Sequence, residues 1–161
     1  RVVRRSAALL ESKQNGYGPN FVYNEYMMAN KFSSALLITV GLAILSLIMF
    51  SPLRKLFRPL FPKPGRSPNE NVQENGWFES IFIVKTEDNE KYKFRLYGDG
   101  DPGYKSTARF ICESALCLAC NEDELPNGSN GGVLTSASGL GDILIKRLKN
   151  AGILFEGPEK I

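Results

Sequence analysis

From Phe32 to Phe50 the chain runs nineteen residues without a charged side chain. At 1.5 Å per residue a helix of that length reaches about 28 Å, close to the roughly 30 Å hydrocarbon thickness of a bilayer. Such a run is either a membrane helix or a helix buried at the centre of a large soluble core. Ser33, Ser34, Thr39, Gly41 and Ser46 keep the second reading open. The expectation is a membrane anchor in which Phe32, Leu36, Leu37, Ile38, Leu42, Leu45, Ile48 and Phe50 meet lipid. Pro52 then stops the helix, and Arg54, Lys55, Phe57 and Arg58 mix cations with an aromatic ring in a way that suits an anionic headgroup layer.

The anchor divides the chain into residues 1–31, an extended piece followed by a helix that continues a missing domain; 32–61, membrane helix plus interfacial anchor; 62–76, a proline-rich linker; and 77–161, a C-terminal domain. Within that last part, Trp77 to Val84 reads as a strand, and Lys91 to Tyr97 alternates so that Tyr92, Phe94 and Leu96 share one face. The polar Glu87–Glu90 between them predicts a hairpin. Asp101-Pro102 can cap a helix whose apolar stripe is Tyr104, Ala108, Ile111, Ala115, Leu118 and Ala119, ending near Cys120. A glycine-rich turn over 127–132 leads to a second helix lined by Leu140, Ile143, Leu144, Leu148 and Ala151, closed by Gly152 and followed by a strand at Ile153-Leu154-Phe155. The predicted fold class is α+β: a small, mostly antiparallel sheet with two helices, preceded by one membrane-length apolar helix.

The chain contains no histidine, which removes the commonest general base and the most frequent transition-metal ligand. Its formal charge of +3 is too slight to argue for nucleic acid. The three cysteines, Cys112, Cys117 and Cys120, lack the fourth ligand of an iron–sulfur set and lie on a predicted helix, so they read as buried thiols packed against the sheet. Gly98-Asp99-Gly100-Asp101-Pro102-Gly103 matches a dinucleotide fingerprint literally. Its two acids would face a pyrophosphate, however, and the strand before it alternates as a half-exposed antiparallel strand does. No catalytic, cofactor-binding or metal-binding residue is therefore expected in this chain. Tyr104, Thr107, Gly131, Gly132 and Gly141 remain weak candidates for a ligand loop, because glycines near a helix start let a phosphate approach.

Several segments in order resemble one family: Val2-Val3-Arg4-Arg5-Ser6, the apolar run, Gly103-Tyr104-Lys105-Ser106-Thr107, Gly131-Gly132-Val133-Leu134-Thr135 and Leu140-Gly141-Asp142-Ile143-Leu144. Together they look like the C-terminal half of the saccharopine dehydrogenase-like oxidoreductases, with relatives linked to lipid metabolism and to trans-acting enoyl reduction. Ser136 departs from the pattern, where relatives often have Pro. The resemblance implies a membrane-anchoring, substrate-side half of an NAD(P)-dependent oxidoreductase acting on a lipid or other apolar substrate. The cofactor would be held by a missing N-terminal dinucleotide-binding half, so this chain alone would bind none and would not be catalytic. The same resemblance implies an intracellular membrane setting at a lipid droplet, endoplasmic reticulum or mitochondrion, with the membrane or droplet surface as partner. The rival reading is a non-enzymatic accessory subunit whose partners are other proteins of a larger membrane complex.

Topology is pulled two ways. Cations after the run favour a plain span with residues 62–161 on the inner face. The family's architecture needs both flanks to meet, which predicts a turn near Pro52 and a return through Leu53–Phe61 as a re-entrant or interfacial hairpin.

Overall fold

The computed structural model describes residues 1–12, 16–52, 54–60, 65, 67–126 and 131–161. Leu53 and Phe61 of the expected anchor, Pro62, Lys63, Pro64 and Arg66 of the expected linker, and Asn127–Asn130 of the expected turn lie outside them. The described chain forms two compact units, one of residues 1–21 with 68–161 and one of residues 22–67.

The first unit is built on a three-stranded antiparallel sheet: β1 (Trp77–Lys85), β2 (Lys91–Asp99) and β3 (Leu154–Lys160), in that order. The first two strands form the expected hairpin. Asn89 turns it with a φ of 61°, and the Thr86 N–H donates to the Glu90 carbonyl at 2.9 Å. Asparagine tolerates that left-handed conformation better than most side chains. On the open face, Arg95 lies between Glu79 of β1 and Glu156 of β3, pairing with both and tying the three strands together.

The helices of this unit are α1 (Val2–Glu11), α4 (Glu70–Asn75), α5 (Lys105–Cys120), α6 (Ser136–Gly139) and α7 (Gly141–Asn150). Residues 1–12 were expected to begin extended, and they are helical instead. Val3, Ser6, Ala7, Leu9 and Leu10 are its half-buried or buried positions, and the spacing of three and four residues among Val3, Ser6, Ala7 and Leu10 makes one helix face. Ser6 in that face bonds Thr135, so the start of the chain is joined to a residue far downstream.

The core is small: Cys117, Leu140, Leu144, Leu148 and Ile153 are buried, with Phe78, Leu96, Phe110, Leu125, Ile143 and Phe155 packed on them. The second helix therefore presents the face read from sequence. After it, Gly152 adopts a φ of +89° and its N–H donates to the Lys149 carbonyl, while the Ile153 N–H returns to Leu148. Both bonds satisfy carbonyls left over at the helix end.

The first long helix does not present its expected face. The stripe Tyr104, Ala108, Ile111, Ala115 and Leu118 lies outward, with Ile111 67% and Leu118 58% exposed. Ser106, Phe110, Glu113 and Cys117 turn inward instead. Phe110 meets Phe78 of β1 at a ring separation of 5.9 Å, and Cys117 joins the core. The inward face is the one whose Phe110 ring reaches the sheet, although Ser106 and Glu113 share it. Hence only Cys117 is a buried thiol, whereas Cys112 and Cys120 are exposed.

The second unit contains α2 (Phe32–Phe50) and α3 (Arg54–Phe57), with a 3₁₀ turn at Arg58–Leu60. No residue of α2 is buried. Two of its hydroxyls are spent on its own backbone, Thr39 donating to the Ala35 carbonyl and Ser46 to the Leu42 carbonyl, each at 2.8 Å. The expected fold class, α+β with an antiparallel sheet and one apolar helix ahead of it, is the observed one.

Candidate functional site

The loop from β2 into α5 carries the glycine fingerprint, and its geometry is that of a packed corner. Gly98 is buried on an antiparallel strand, where a β-carbon would stand 2.5 Å from the Phe78 ring and 2.9 Å from Ile153 Cδ1. Gly100 has a φ of +94°, a region that L side chains rarely adopt, and lets the chain leave the sheet. Its N–H donates to the Gly76 carbonyl at 2.7 Å.

The polar groups of the loop are then spent locally. Asp101 Oδ2 accepts from the Tyr104 N–H at 2.8 Å, and the Ser106 N–H donates to the Asp101 carbonyl at 3.0 Å. The Ser106 hydroxyl donates to the Asp99 and Gly100 carbonyls. Tyr97 donates its phenol to Asp99 at 2.9 Å, which pushes the tyrosine above its ordinary pKa because the hydrogen bond favours the neutral form. A pyrophosphate needs unspent N–H groups at a helix start and a parallel βαβ setting. This loop offers two carboxylates on an antiparallel sheet, so its residues do not fit a dinucleotide.

The weak ligand-loop candidates fall in separate places. Tyr104 precedes α5 and is half exposed, and the Thr107 hydroxyl donates to the Pro102 carbonyl at 2.7 Å. Gly141 opens α7 against Pro126, whose Cγ would lie 2.8 Å from an added β-carbon. Gly131 and Gly132 are exposed, and at Gly131 an added β-carbon would meet no neighbour within 4 Å. No hydrogen bond among the described residues joins these groups into one cradle.

Two further clusters came to light only in three dimensions. Between α5 and α7, Arg147 donates to Glu113 at 2.9 Å and to Asn121 at 3.2 Å, beside a shallow cleft of about 200 Å³ that Asn150 and Ala151 also line. Burial beneath this seam pushes the Cys117 thiol above its ordinary pKa, with the Arg147 charge opposing in part. Ser6, Thr135 and Ser138 form a hydroxyl chain: Ser6 to Thr135 is 2.7 Å and Thr135 to Ser138 is 3.0 Å. The last two close a capping box at the start of α6. A serine nucleophile needs a base, and this chain has no histidine to supply the usual one. Ser6 joins α1 to the start of α6, and Thr135 and Ser138 cap that helix. Among the described residues no group of three or more Cys, Asp or Glu side chains is placed to hold a metal.

The expected anchor residues sit on the second unit. Phe32, Leu36, Leu37, Ile38, Leu42, Leu45 and Phe50 are exposed on α2 and Ile48 is half exposed. Arg54 and Lys55 are exposed on α3 with Phe57 half exposed, and Arg58 is exposed on the turn after it.

No family model matches the chain, and no solved structure matches it. Curated relatives do. A protein of Mycobacterium tuberculosis named as a candidate trans-acting enoyl reductase is 36% identical over 97% of this chain. A trans-acting enoyl reductase of Mycobacterium bovis is 35% identical over 96%, and one of Mycobacterium leprae 34% identical over 96%. The chain spans 38% of the length of each of these relatives.

These relatives correct the family expected from sequence. They are named for trans-acting enoyl reduction, and nothing among them points to a saccharopine dehydrogenase-like family. The reading of the chain as a membrane-anchoring, substrate-side half of such an enzyme falls with that family. The lipid-droplet and mitochondrial settings rested on the same resemblance and fall too. The accessory-subunit alternative draws no support from these names either.

Proposed function

We propose that this chain is part of an enoyl reductase that works in trans. Identity at 36% across nearly the whole chain carries the reading. Enoyl reduction adds a hydride to one carbon of a conjugated double bond and a proton to the other. The described residues supply neither a cradle for a dinucleotide at 98–103 nor a histidine for the proton. In this reading the reaction centre, and an NAD(P) donor with it, belong to other residues of the enzyme. The α+β unit serves as a scaffold beside that centre. Its outward stripe on α5 supports this role, because Ile111 and Leu118 are left open on a helix whose other face is packed.

A chimera tests the proposal. This chain is exchanged for the matched segment of the Mycobacterium tuberculosis relative, and nicotinamide-dependent reduction of an enoyl thioester is followed by loss of absorbance of the reduced cofactor. Retained turnover is the expected result. A folded chimera that binds the cofactor yet reduces nothing overturns it.

A further inference from the structure

We infer that α2 lies immersed in one leaflet of a phospholipid bilayer, with residues 1–21 and 68–161 together on a single aqueous side. The inference goes beyond the enoyl-reductase reading and does not depend on it.

Three observations carry it. The first is the character of the helix. A helix that docks on a protein surface is apolar on one stripe, whereas α2 is uncharged throughout and none of its residues is buried. Its two inner hydroxyls, Thr39 and Ser46, are already satisfied, since they bond the carbonyls four residues back. Hydrocarbon demands that every polar group find a partner inside the segment, and these have done so.

The second observation is charge. Lys31 immediately precedes α2, and Arg54, Lys55 and Arg58 follow it, all exposed and with no ion pair among the described residues. Cations at both ends match the anionic phosphates of a headgroup layer, which their long side chains reach by snorkelling.

The third observation fixes the topology. The chain before the helix and the chain after it belong to the same folded unit. α1 packs on α6, and Ser6 bonds Thr135 at 2.7 Å. A single crossing would place those partners on opposite sides of the membrane and pull the unit apart. The linking segments leave room for the alternative: residues 22–31, at ~3.3 Å each when extended, reach roughly 30 Å, while the stretch after the helix is shortened by α3 and the 3₁₀ turn. A helix lying beneath one headgroup layer lets both cationic ends meet that layer and both flanks stay in one compartment.

The test uses the full chain with sealed vesicles of phosphatidylcholine and phosphatidylglycerol. Flotation should carry the chain up with the vesicles, more strongly than with phosphatidylcholine alone at low salt. Leu42→Arg should weaken that partitioning roughly a hundredfold, because a cation at mid-helix is costly in hydrocarbon. For topology, Ser12→Cys and Asp123→Cys are made singly in a Cys112→Ser/Cys120→Ser background and exposed to an impermeant maleimide. Both sites should label fully from outside, with no gain on adding detergent. Protection of either site until detergent is added would mean a span and would overturn the inference. So would failure of the chain to float, or flotation of Leu42→Arg equal to the parent, each of which assigns the helix to a protein partner instead.

Discussion

Gly98→Ala distinguishes a packing glycine from a phosphate-binding one. The added methyl group would stand 2.5 Å from Phe78 Cε1, 2.8 Å from Cζ and 2.9 Å from Ile153 Cδ1. Real β-carbons do not come that close, so something must move. Phe78 is directly across from Gly98 on the neighbouring strand and is braced by Phe110, while Ile153 is 1% exposed. Neither can yield without disturbing the core. Overpacking of this kind costs about 1–3 kcal/mol. Alanine recovers ~0.4–1 kcal/mol by restricting the unfolded chain, leaving a net loss centred on about 1.3 kcal/mol. Urea unfolding of the full chain in mild detergent, followed by the single tryptophan Trp77 on the same hairpin, measures it. Phe78→Leu opens space beside the methyl group, so in that background Gly98→Ala should cost distinctly less. If Gly98→Ala is as stable as the parent, the packing account of this glycine is refuted.

Other outcomes follow from particular contacts. Under native conditions iodoacetamide should modify Cys112 and Cys120 and spare Cys117, as intact mass will show; rapid modification at all three sites would contradict the buried position of Cys117. Burial raises the Cys117 pKa in the fold, so the unfolded chain surrenders that proton first. The contribution of the neutral thiol is complete below the unfolded value of about 8.5 and is lost as pH rises through the folded one, and Cys117→Ala should flatten that alkaline decline in stability. Ser6→Val removes the bond to Thr135 and should cost about 1–2 kcal/mol, read as faster hydrogen exchange throughout α1. A double-mutant cycle on Glu113→Gln and Arg147→Leu should give a coupling of about 0.5–1.5 kcal/mol, since both side chains are largely shielded from water.

The glycine loop at 98–103 and its two acids were legible from residue types alone, and the structure places that loop after the antiparallel β2. The role of Gly98 there, fitted between Phe78 and Ile153, carries no signal in the sequence, because both neighbours are distant along the chain. The Glu113–Arg147–Asn121 seam was equally hidden, since it joins two helices whose facing was not yet known. Saccharopine dehydrogenase-like proteins were suggested by short motifs in order, and such motifs are shared too loosely to choose one oxidoreductase family over another.

By itself the sequence determined the elements whose signals are local. Alternation over 91–97 and a polar turn made the hairpin, Gly152 closed the last helix, and the absence of charge from Phe32 to Phe50 made a helix of membrane length. Tertiary structure decided what depends on the surface a segment meets. The more apolar stripe of α5 was left outward, and contact with Phe78 and the core selected the face carrying Phe110 and Cys117, which also bears Ser106 and Glu113. Residues 2–11 can be written as strand or helix, and docking on α6 through Ser6 fixed them as helix. That same docking makes one folded unit of the two flanks of the apolar run, a long-range fact that no local pattern encodes, because its energy lies in contacts between residues more than a hundred positions apart.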